Sequence, residues 1–561
     1  MIRILEQSEQ LASAAEVRKG LATCDDARWV RYWFEVDIFE VELRCVSNED
    51  AQNSRRTWFP LLKGGPFRKW FGNCHHVLDW ANGGAALKSF ISDRYDGAHY
   101  SKEIRSEEFY FQECMTWSDI ATPNTFGARY CGIGFIASTV GGAVYSSPDN
   151  LLLLNALLCS SVAPVWLGVI NPTLHANPGD IASIPLPPRD ELVAVQREIE
   201  SRSARCGDVA SEDWNVYERS WDFQSLPILT ASSDPTPTLE SSYATWITQN
   251  RTTIAEMKRL EEENNRLFID AYGLGDELTP DVPIEQITLT VNPAYRYGGK
   301  LTEDEQWTRF RQDSMEELVS YAIGCLMGRY SLDAPGLIYA HAGNVGFDAT
   351  RYQTFPADAD GIVPVTDELW FEDDAANRVR EFLLATWGAE KLDQNMAFLA
   401  DNLGAKASEA PVEAIRRYLA DKFFKDHLQT YKKRPIYWLF SSGKQGAFEA
   451  LVYLHRYHEG TLARMRAEYV VPLTGKMQSR IEMLEKDRDA SSSTAARNKI
   501  AKHIESLKKK HVELLAYDEK LRHYADMRIT LDLDDGVKVN YGRFGDLLAE
   551  VKAVTGGAND D

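Results

Sequence analysis

The most informative absences in this 561-residue sequence are paired cysteines and long apolar runs. The eight cysteines are scattered and none forms a CxxC pair, which argues against a zinc ribbon or a disulfide scaffold and favours buried, reduced thiols. The best candidate for a membrane helix, residues 151–170, is interrupted by a proline and polar residues and instead predicts a buried helix followed by a strand. Because the N-terminus also lacks a basic-then-apolar leader, we expect a cytoplasmic protein with no membrane partner.

The motifs of the common catalytic sites are missing as well. The sequence has no HExxH, no complete phosphate-binding loop and no Gly-x-Ser-x-Gly. Ser442-Gly443-Lys444 resembles only the end of a phosphate-binding loop and predicts a turn. His75 and His76 are adjacent, so their side chains diverge and are poor candidates for ligands of one metal ion. We therefore predict no metal site and no catalytic residue in this chain.

The net charge of −21 at first argues against a nucleic-acid partner. Phosphate contacts are made by one face of a protein, however, so the local balance of charge matters more than the sum. Residues 55–105 contain nine Lys and Arg against four acids, while most of the acidic excess lies in residues 261–263, 276–281 and 368–374. A basic, aromatic-rich segment within an acidic chain is compatible with DNA binding.

Hydrophobic periodicity divides the chain into a part that contains strands and a part that is mainly helical. Residues 56–190 alternate short apolar runs with Gly, Pro and Asn, which is typical of β-rich or α+β domains with long loops. Strands are predicted at 109–117, 134–139 and 165–170. Helices are predicted at 151–160, 190–206, 239–272, 302–327, 373–387, 392–403, 412–428 and, as an antiparallel pair with coiled-coil-like spacing, 464–484 and 495–524.

One tetrapeptide, Asn292-Pro293-Ala294-Tyr295, resembles the Asn-Pro-Pro-Tyr motif with which adenine N6-methyltransferases hold a flipped base. Those enzymes also need a strand, a Gly-rich turn and a later acidic residue to bind S-adenosylmethionine, and no such unit precedes Asn292. A structural turn is therefore the favoured interpretation, and a catalytic role is the alternative.

A series of short blocks along the chain resembles one protein family. They include WFPLLKGG (58–65), FRKWFGN (67–73), TWSDI (116–120), FGARY (126–130), YAIGCLMGRYSLD (321–333), YKKRPIYW (431–438) and DDGVKVNY (534–541). Their order resembles the PglX family, the adenine-specific DNA methyltransferases of BREX phage-defence systems, and is similar to the specificity regions of single-chain type II restriction–modification enzymes. The resemblance covers nearly the whole chain.

The resemblance implies an α+β fold, in which an N-terminal α/β target-recognition domain precedes a mainly α-helical C-terminal region with an antiparallel coiled helical hairpin. Six segments are expected. They are a helical lead-in (1–55), the target-recognition domain (56–230), a long helix and connector (231–300), a helical C-terminal domain (301–461), the hairpin (462–525) and a tail (526–561). In that family the cofactor-binding and catalytic motifs lie upstream, so we expect this chain to bind no cofactor and to be inactive alone, whereas the full-length enzyme uses S-adenosylmethionine.

The implied function is sequence-specific recognition of double-stranded DNA, as the specificity part of an adenine N6 methyltransferase that distinguishes host from phage DNA. One alternative is that this chain is itself an active S-adenosylmethionine-dependent methyltransferase, which cofactor binding by the chain would favour. A second alternative is a scaffold that docks other BREX proteins through the helical hairpin. Partner capture without DNA binding would favour the scaffold.

The resemblance and the residue types together give a set of candidate DNA contacts. Basic residues at 63–69 on a Gly-rich turn are expected at phosphates, and polar loop residues at 116–124 are expected at base edges. Trp70 is as consistent with a core aromatic as with a DNA contact. Arg129 is as consistent with a structural salt bridge as with a DNA contact. Residues 432–434 are as consistent with a solvated helix end as with a phosphate clamp. The full set is Lys63, Arg68, Lys69, Trp70, Asn73, Thr116, Ser118, Asn124, Arg129, Lys432, Lys433 and Arg434.

Overall fold

The computed structural model describes residues 4–5, 8–120, 125–173 and 175–556. The chain forms two compact units. Unit 1 consists of Met1–Trp33, Phe39–Phe223 and Ala244–Phe310, and unit 2 consists of Phe34–Ile38, Gln224–Tyr243 and Arg311–Asp561. The finer division into six segments stays a prediction.

Two four-stranded sheets form the β part of unit 1, with strands numbered along the chain. The first has the order β1 (Glu16–Arg18), β8 (Ala143–Tyr145), β5 (Cys114–Trp117), β6 (Ala128–Cys131), with antiparallel neighbours throughout. The second has the order β2 (Val30–Tyr32), β4 (His76–Asp79), β3 (Trp58–Leu62), β7 (Ile136–Ala137), and only β3 and β7 run parallel. Consecutive strands β7 and β8 lie in different sheets, so the intervening loop connects the two.

The second sheet is held in the core of unit 1 by helix α3 (Ala81–Arg94). All five residues of β3 are buried, and Phe59 and Leu61 belong to the same apolar cluster as Leu87 and Ile91 of α3. Leu87 and Ile91 are four residues apart and therefore lie on one face of the helix. This packing fixes the end of β3, from which the chain enters the loops of the candidate site.

The remaining helices of unit 1 surround the sheets. Helix α4 (Pro148–Cys159) begins with a proline in its first turn, where the missing N–H has no intrahelical partner to lose. The others are α1 (Asp26–Trp29), α2 (Asn48–Asn53), α5 (Val162–Ile170), α6 (Pro178–Ala182), α7 (Arg189–Asn215) and α9 (Pro293–Tyr297); α8 (Leu239–Ala271) and α10 (Glu303–Leu326) contribute residues to both units.

The predicted strand at 165–170 is wrong, because these residues form the second half of α5. Val162, Ala163, Trp166 and Leu167 are buried while Val169 is 42% exposed, which is the period of a helix packed on one side. Packing thus overrides the strand preference of the apolar run. Among the described residues no single helix is long and apolar enough to cross a membrane, and α4 and α5, which pass that test together, are bent by 77°.

Unit 2 contains a three-stranded antiparallel sheet with the order β10 (Tyr437–Ser441), β11 (Glu449–Tyr453), β9 (Ile362–Pro364). Every residue of the edge strand β10 is buried, so the helices and turns of unit 2 cover it. Those helices are α11 (Ala375–Trp387), α12 (Leu392–Asn402), α13 (Pro411–Tyr418), α14 (Phe424–Thr430), α15 (Thr461–Arg464), α18 (Gly536–Gly542) and α19 (Val551–Thr555), with π-helical turns at Leu419–Phe423 and Met465–Val470.

The helical hairpin predicted near the C-terminus is present as α16 (Val471–Ala490) and α17 (Thr494–Asp526). Its seam consists of apolar residues that recur at spacings of three, four and seven. They are Leu473, Met477, Ile481 and Leu484 on α16, and Ile504, Leu507 and Leu514 on α17, all of them buried.

The α+β fold class is confirmed, with small sheets and many helices. Two predicted strands are shorter than expected. Residues 109–117 form a strand only at Cys114–Trp117, because a 3-10 turn at Glu107–Phe109 precedes it, and residues 134–139 form one only at Ile136–Ala137. Seven of the eight cysteines are buried and all eight are free, as expected of reduced thiols.

Candidate nucleic-acid interface

Four loop segments of unit 1 meet at the ends of strands β3 and β5, and we call residues 64–66, 118–120, 139–141 and 175–176 the loop cluster. Ser118 Oγ donates to the carbonyl of Gly65 at 2.9 Å. The N–H of Asp119 donates to the carbonyl of Val140 at 3.3 Å, and its carbonyl accepts from Ala176 N–H at 2.8 Å. These bonds tie segments that are distant in sequence into one surface.

Gly64 permits the close approach of two of these segments. It has a φ of +68°, and a Cβ at this position would lie 2.7 Å from the carbonyl oxygen of Val140. Any other residue would therefore be strained in its backbone and would push the 139–141 segment away. The Gly-Gly pair after β3 thus shapes the loop cluster.

The loop cluster presents both apolar and polar side chains to solvent. Ile120 is 68% exposed and Val140 is 44% exposed. The His175 side chain is 55% exposed and its Nδ1 lies 3.2 Å from Asp119 Oδ2. Apolar contact with thymine methyl groups and hydrogen bonds to base edges are the two elements of direct readout, and both kinds of group occur here.

Two of the predicted DNA contacts lie at this surface. Ser118 belongs to the loop cluster itself. Lys63 precedes the cluster at the end of β3 and pairs with Asp26 at 2.5 Å, with about a quarter of its side chain exposed (26%). Burial opposes ionisation of Asp26, but hydrogen bonds from Lys63 and Thr23 lower the pKa of its carboxyl below the usual value. Asn124 lies outside the described residues.

Arg68, predicted as a phosphate contact, is buried in the structure. Its Nη2 pairs with Asp213 at 2.6 Å, its Nη1 donates to Thr290 Oγ1 at 2.8 Å and its Nε donates to the carbonyl of Phe71 at 2.8 Å. The side chain is only 4% exposed. Its positive charge is paired with Asp213 inside unit 1, so we withdraw the assignment of Arg68 to a phosphate.

Lys69 and Trp70 share one buried acid. Lys69 Nζ pairs with Glu261 of helix α8, and Trp70 Nε1 donates to the same carboxylate at 2.9 Å. The side chains of Lys69 and Glu261 are 8% and 2% exposed, and Trp70 is 1% exposed. We correct both assignments in the same way: Lys69 joins the turn to α8, and Trp70 is a core aromatic.

Two polar candidates are buried as well. Asn73 Nδ2 donates to the carbonyl of Pro66 at 2.9 Å and thereby braces the Gly-rich turn. Thr116 Oγ1 donates to the carbonyl of Gly142 at 3.0 Å within the first sheet. Neither side chain is accessible to DNA, so Thr116 is withdrawn as a base reader and Asn73 as a DNA contact.

Arg129 lies directly beneath the loop cluster, 1% exposed. Its Nη2 lies 3.4 Å from Ser118 Oγ, its Nη1 donates to the carbonyl of Arg68 at 3.3 Å, and its Nε has no hydrogen-bond partner within the described part of the chain. No carboxylate pairs with it among the described residues, so the predicted alternative of a salt bridge is not seen there. Desolvation is the main effect, and it lowers the pKa of this guanidinium. A base edge has no access to it in this conformation.

The basic candidates of unit 2 follow helix α14. Lys432 and Lys433 are exposed and have φ angles of 53° and 59°, so they form a tight left-handed turn. Arg434 is 30% exposed at its side chain, lies 3.9 Å from Glu35 and donates to the carbonyl of Val554 at 3.4 Å. Arg434 is thus committed to contacts within unit 2.

A second group of cations, which we call the basic edge, was not among the predicted contacts. Lys19, Arg94, Lys102 and Arg105 are exposed, and none forms an ion pair within the part of the chain that the structure describes. Arg105 Nε donates to the carbonyl of Lys102 at 3.0 Å, and Ser106 Oγ donates to the carbonyl of Lys19 at 3.1 Å. The local basic excess of residues 55–105 therefore reaches the surface here and not at 68–69. This local excess of basic residues is the feature of the sequence that could have indicated the basic edge.

The basic edge adjoins the loop cluster through the segment that follows Lys19. Leu21 N–H donates to the carbonyl of Ala137 at 3.0 Å, and Thr139 N–H donates to the carbonyl of Leu21 at 2.9 Å. Thr139 belongs to the loop cluster. Cations that form no ion pair among the described residues, and loop side chains suited to bases, therefore lie on neighbouring segments of unit 1.

Two motifs singled out in the sequence are structural. Asn292 is 1% exposed; its Oδ1 accepts from Ala294 N–H at 3.2 Å and its Nδ2 donates to two backbone carbonyls, those of Ile284 and Ile287. Its amide is thus fully used as a helix cap and loop brace. This arrangement does not fit a group that holds an adenine amine.

The hydrogen-bond donors around the turn at Ser442-Gly443-Lys444 bind a carboxylate side chain of the same chain. Ser442 Oγ donates to Glu513 of helix α17 at 2.7 Å, and the backbone N–H groups of Gln445 and Ala447 donate to the same carboxylate at 2.7 and 3.2 Å. The resemblance to a phosphate-binding loop thus reflects a real arrangement of donors, and Glu513 fills it. The contact joins the hairpin to the loop between β10 and β11.

Over nearly its whole length the chain is similar to proteins of one class, the adenine-specific methyltransferases. It is 42% identical over 540 residues to the adenine-specific methyltransferase BrxX of Escherichia coli O9:H4 (strain HS), covering 93% of this chain and 43% of that protein. It is 37% identical over 544 residues to the adenine-specific methyltransferase PglX of Lacticaseibacillus casei (strain Zhang), covering 96% of this chain and 42% of that protein. No protein-family model matches the chain.

The resemblance to PglX drawn from the sequence blocks is confirmed by these relatives. The chain spans about two fifths (43% and 42%) of the length of the two curated relatives it matches. Methyltransferases of this kind take their methyl group from S-adenosylmethionine, which is therefore the cofactor implied for the full-length relatives.

Proposed function

We propose that this chain supplies the recognition of double-stranded DNA for a BREX-type adenine N6 methyltransferase and so contributes to the distinction of host from phage DNA. The observation that carries the proposal is its similarity, over 93% and 96% of its length, to two proteins named adenine-specific methyltransferases. An adenine-specific DNA methyltransferase must bind a duplex and select a site in it, and the exposed groups of unit 1 are suited to both tasks.

The loop cluster is our proposed reader of the target sequence. Its side chains are carried on loops anchored to two sheets, which keeps them exposed and well positioned at once. Ile120 and Val140 suit thymine methyl groups, and His175 suits a hydrogen bond to a base edge. These residues take the place of the buried candidates, and Ser118 is retained.

The basic edge is our proposed phosphate-contacting surface beside the loop cluster. Its four cations are exposed and have no acid partner among the described residues, so binding a phosphate would break no ion pair. In a chain of net charge −21, such a surface also orients the DNA, because the remaining acidic surface repels it. Lys432 and Lys433 remain proposed phosphate contacts of unit 2.

We further propose that methyl transfer uses S-adenosylmethionine held outside this chain. Asn292 is the residue of the chain that most resembles a base-holding group, and its amide is committed to two carbonyls and a cap. Isothermal titration of the chain with S-adenosylmethionine tests this point. Saturable binding in the micromolar range would instead favour a methyltransferase active in this chain.

The decisive test transfers the proposed recognition region of this chain into a full-length relative. Residues 56–190 of this chain replace the equivalent residues of one of the full-length relatives, and the methylated site is read by modified-base sequencing of host DNA. We expect the site to change while the extent of methylation is preserved. An unchanged site would show that recognition lies elsewhere.

Single substitutions refine the same test. In an enzyme that carries these residues, Ile120→Ala, Val140→Ala and His175→Ala should relax the preference at one position of the site, at about 1–3 kcal/mol per base contact. Val193→Ala is the matched control, because Val193 is 63% exposed on helix α7 and apart from the loop cluster. Equal effects of the control and the cluster substitutions would contradict the assignment.

A further inference from the structure

The outer half of the helical hairpin, residues 476–510, carries a charge opposite to that of the whole chain. We call it the hairpin arm. It contains ten Lys and Arg against five acids, within a chain whose net charge is −21. The helices of the arm are held together by the buried seam of α16 and α17, so the charges project from a packed pair of helices.

Half of the cations of the arm are already engaged. Lys508 pairs with Glu485 at 2.7 Å, and Lys509 pairs with Glu505 at 2.8 Å. The other engaged cations are Lys476 (bonded to the carbonyl of Trp370), Arg488 (paired with Asp489) and Lys510 (paired with Asp367). These contacts also neutralise three of the five acids of the arm, so little negative charge remains to offset the other cations.

The remaining cations are exposed, and none has an ion pair or a side-chain hydrogen bond within the described residues. They are Arg480, Lys486, Arg497, Lys499 and Lys502. Four of them lie within about three helical turns of the loop that joins the two helices. Free positive charge is thus concentrated toward the tip of the arm.

The composition of the arm fits a polyanion better than a protein partner. Protein interfaces have an apolar or aromatic core, and Met483, 42% exposed, is the one large apolar side chain that the arm exposes. Contact with a nucleic-acid backbone needs only cations on an accessible, extended surface. We propose that the hairpin arm binds the phosphate backbone of duplex DNA without regard to sequence, and thereby adds affinity at any site.

This inference depends on the proposed function only for the choice of DNA as the polyanion. The arm lies in unit 2, and the residues proposed to read the target lie in unit 1. The arm therefore affects how tightly DNA is bound, and the loop cluster affects which sequence is preferred. The two proposals can fail separately.

The test is a salt titration of DNA binding by the full chain. A fluorescent duplex without a target site is titrated with the chain at increasing NaCl, and anisotropy gives the affinity. The variant R480Q/K486Q/R497Q/K499Q/K502Q should bind more weakly, and the slope of log K against log[salt] should fall in magnitude by about 0.9 for each phosphate that the variant no longer neutralises. Its unfolding curve should match that of the parent, because all five side chains are exposed.

The control is K508Q/K509Q, which removes positive charge from α17, one of the two helices of the arm, at residues that are already paired. We expect its change in salt slope, divided by the number of charges removed, to be much smaller than that of the five-residue variant. The inference is overturned if the five-residue variant keeps the parent affinity and slope, or if the parent shows no salt-dependent binding. In either case an exchange of residues 56–190 that still changes the methylated site would leave the proposed function intact.

Discussion

Replacing Lys69 by methionine should destabilise unit 1 strongly. The substitution removes the ammonium that pairs with Glu261, a carboxylate only 2% exposed, and leaves the indole N–H of Trp70 donating to it. Breaking a buried ion pair by removal of one partner costs about 3–5 kcal/mol, because an uncompensated charge stays in a medium of low polarity. We expect the free energy of unfolding to fall by about that amount.

The partner substitution separates charge from packing. In K69M/E261Q no charge remains, and the amide oxygen still accepts from Trp70, so most of the stability removed by K69M should return. K63M is the matched surface control. Its partner Asp26 is 51% exposed, and exposed pairs contribute about 0–1 kcal/mol.

The assay is urea unfolding followed by tryptophan fluorescence and far-ultraviolet circular dichroism, with the midpoint and slope fitted for each variant. DNA affinity is measured on the same variants under conditions where they are folded. A loss below about 1 kcal/mol for K69M, together with a clear loss of DNA affinity, would refute the structural role and restore Lys69 as a phosphate contact.

Two further predictions concern buried groups. Asn292→Ala should lower the free energy of unfolding by about 2–4 kcal/mol, because it removes a helix cap and two hydrogen bonds to backbone carbonyls, of which that of Ile287 is buried, and it should leave the methylated site unchanged in a full-length enzyme. A variant of unchanged stability that no longer methylates would contradict this. Burial raises the pKa of Glu449 from 4.5 to about 7, so the folded chain keeps a proton that the unfolded chain releases between these values. Stability should therefore fall as pH rises from 4.5 to 7, and E449Q should remove that part of the slope; identical profiles in urea unfolding would disprove it.

Much of the helical part of the fold is predictable because its signal is local. The seam of the hairpin recurs at spacings of three, four and seven residues, and α8 and α10 carry amphipathic patterns over many turns. Strand prediction was weaker. The run at 165–170 has the composition of a strand, and only its packing in unit 1 makes it a helix.

The candidate site was less predictable because its contacts are not local. Arg68 and Lys69 have the residue types and the Gly-rich context of phosphate contacts, yet their partners Asp213 and Glu261 lie 145 and 192 residues further along the chain. Nothing in the spacing of the sequence indicates those pairs. The same holds for the loop cluster, in which Ser118 was predicted but Ile120, Val140 and His175 were not.

The contact between Glu513 and the loop at 442–447 limits the positions at which the length of the hairpin can change. An insertion or deletion in α17 between its start and Glu513 would rotate the carboxylate away from its three donors unless α16 changed to match. Residues added in equal numbers to both helices beyond Leu484 and before Ile504 would lengthen the hairpin without moving this anchor. We therefore expect the length of the hairpin to vary among homologues at the tip, where the unpaired cations lie, and to be constant at the root.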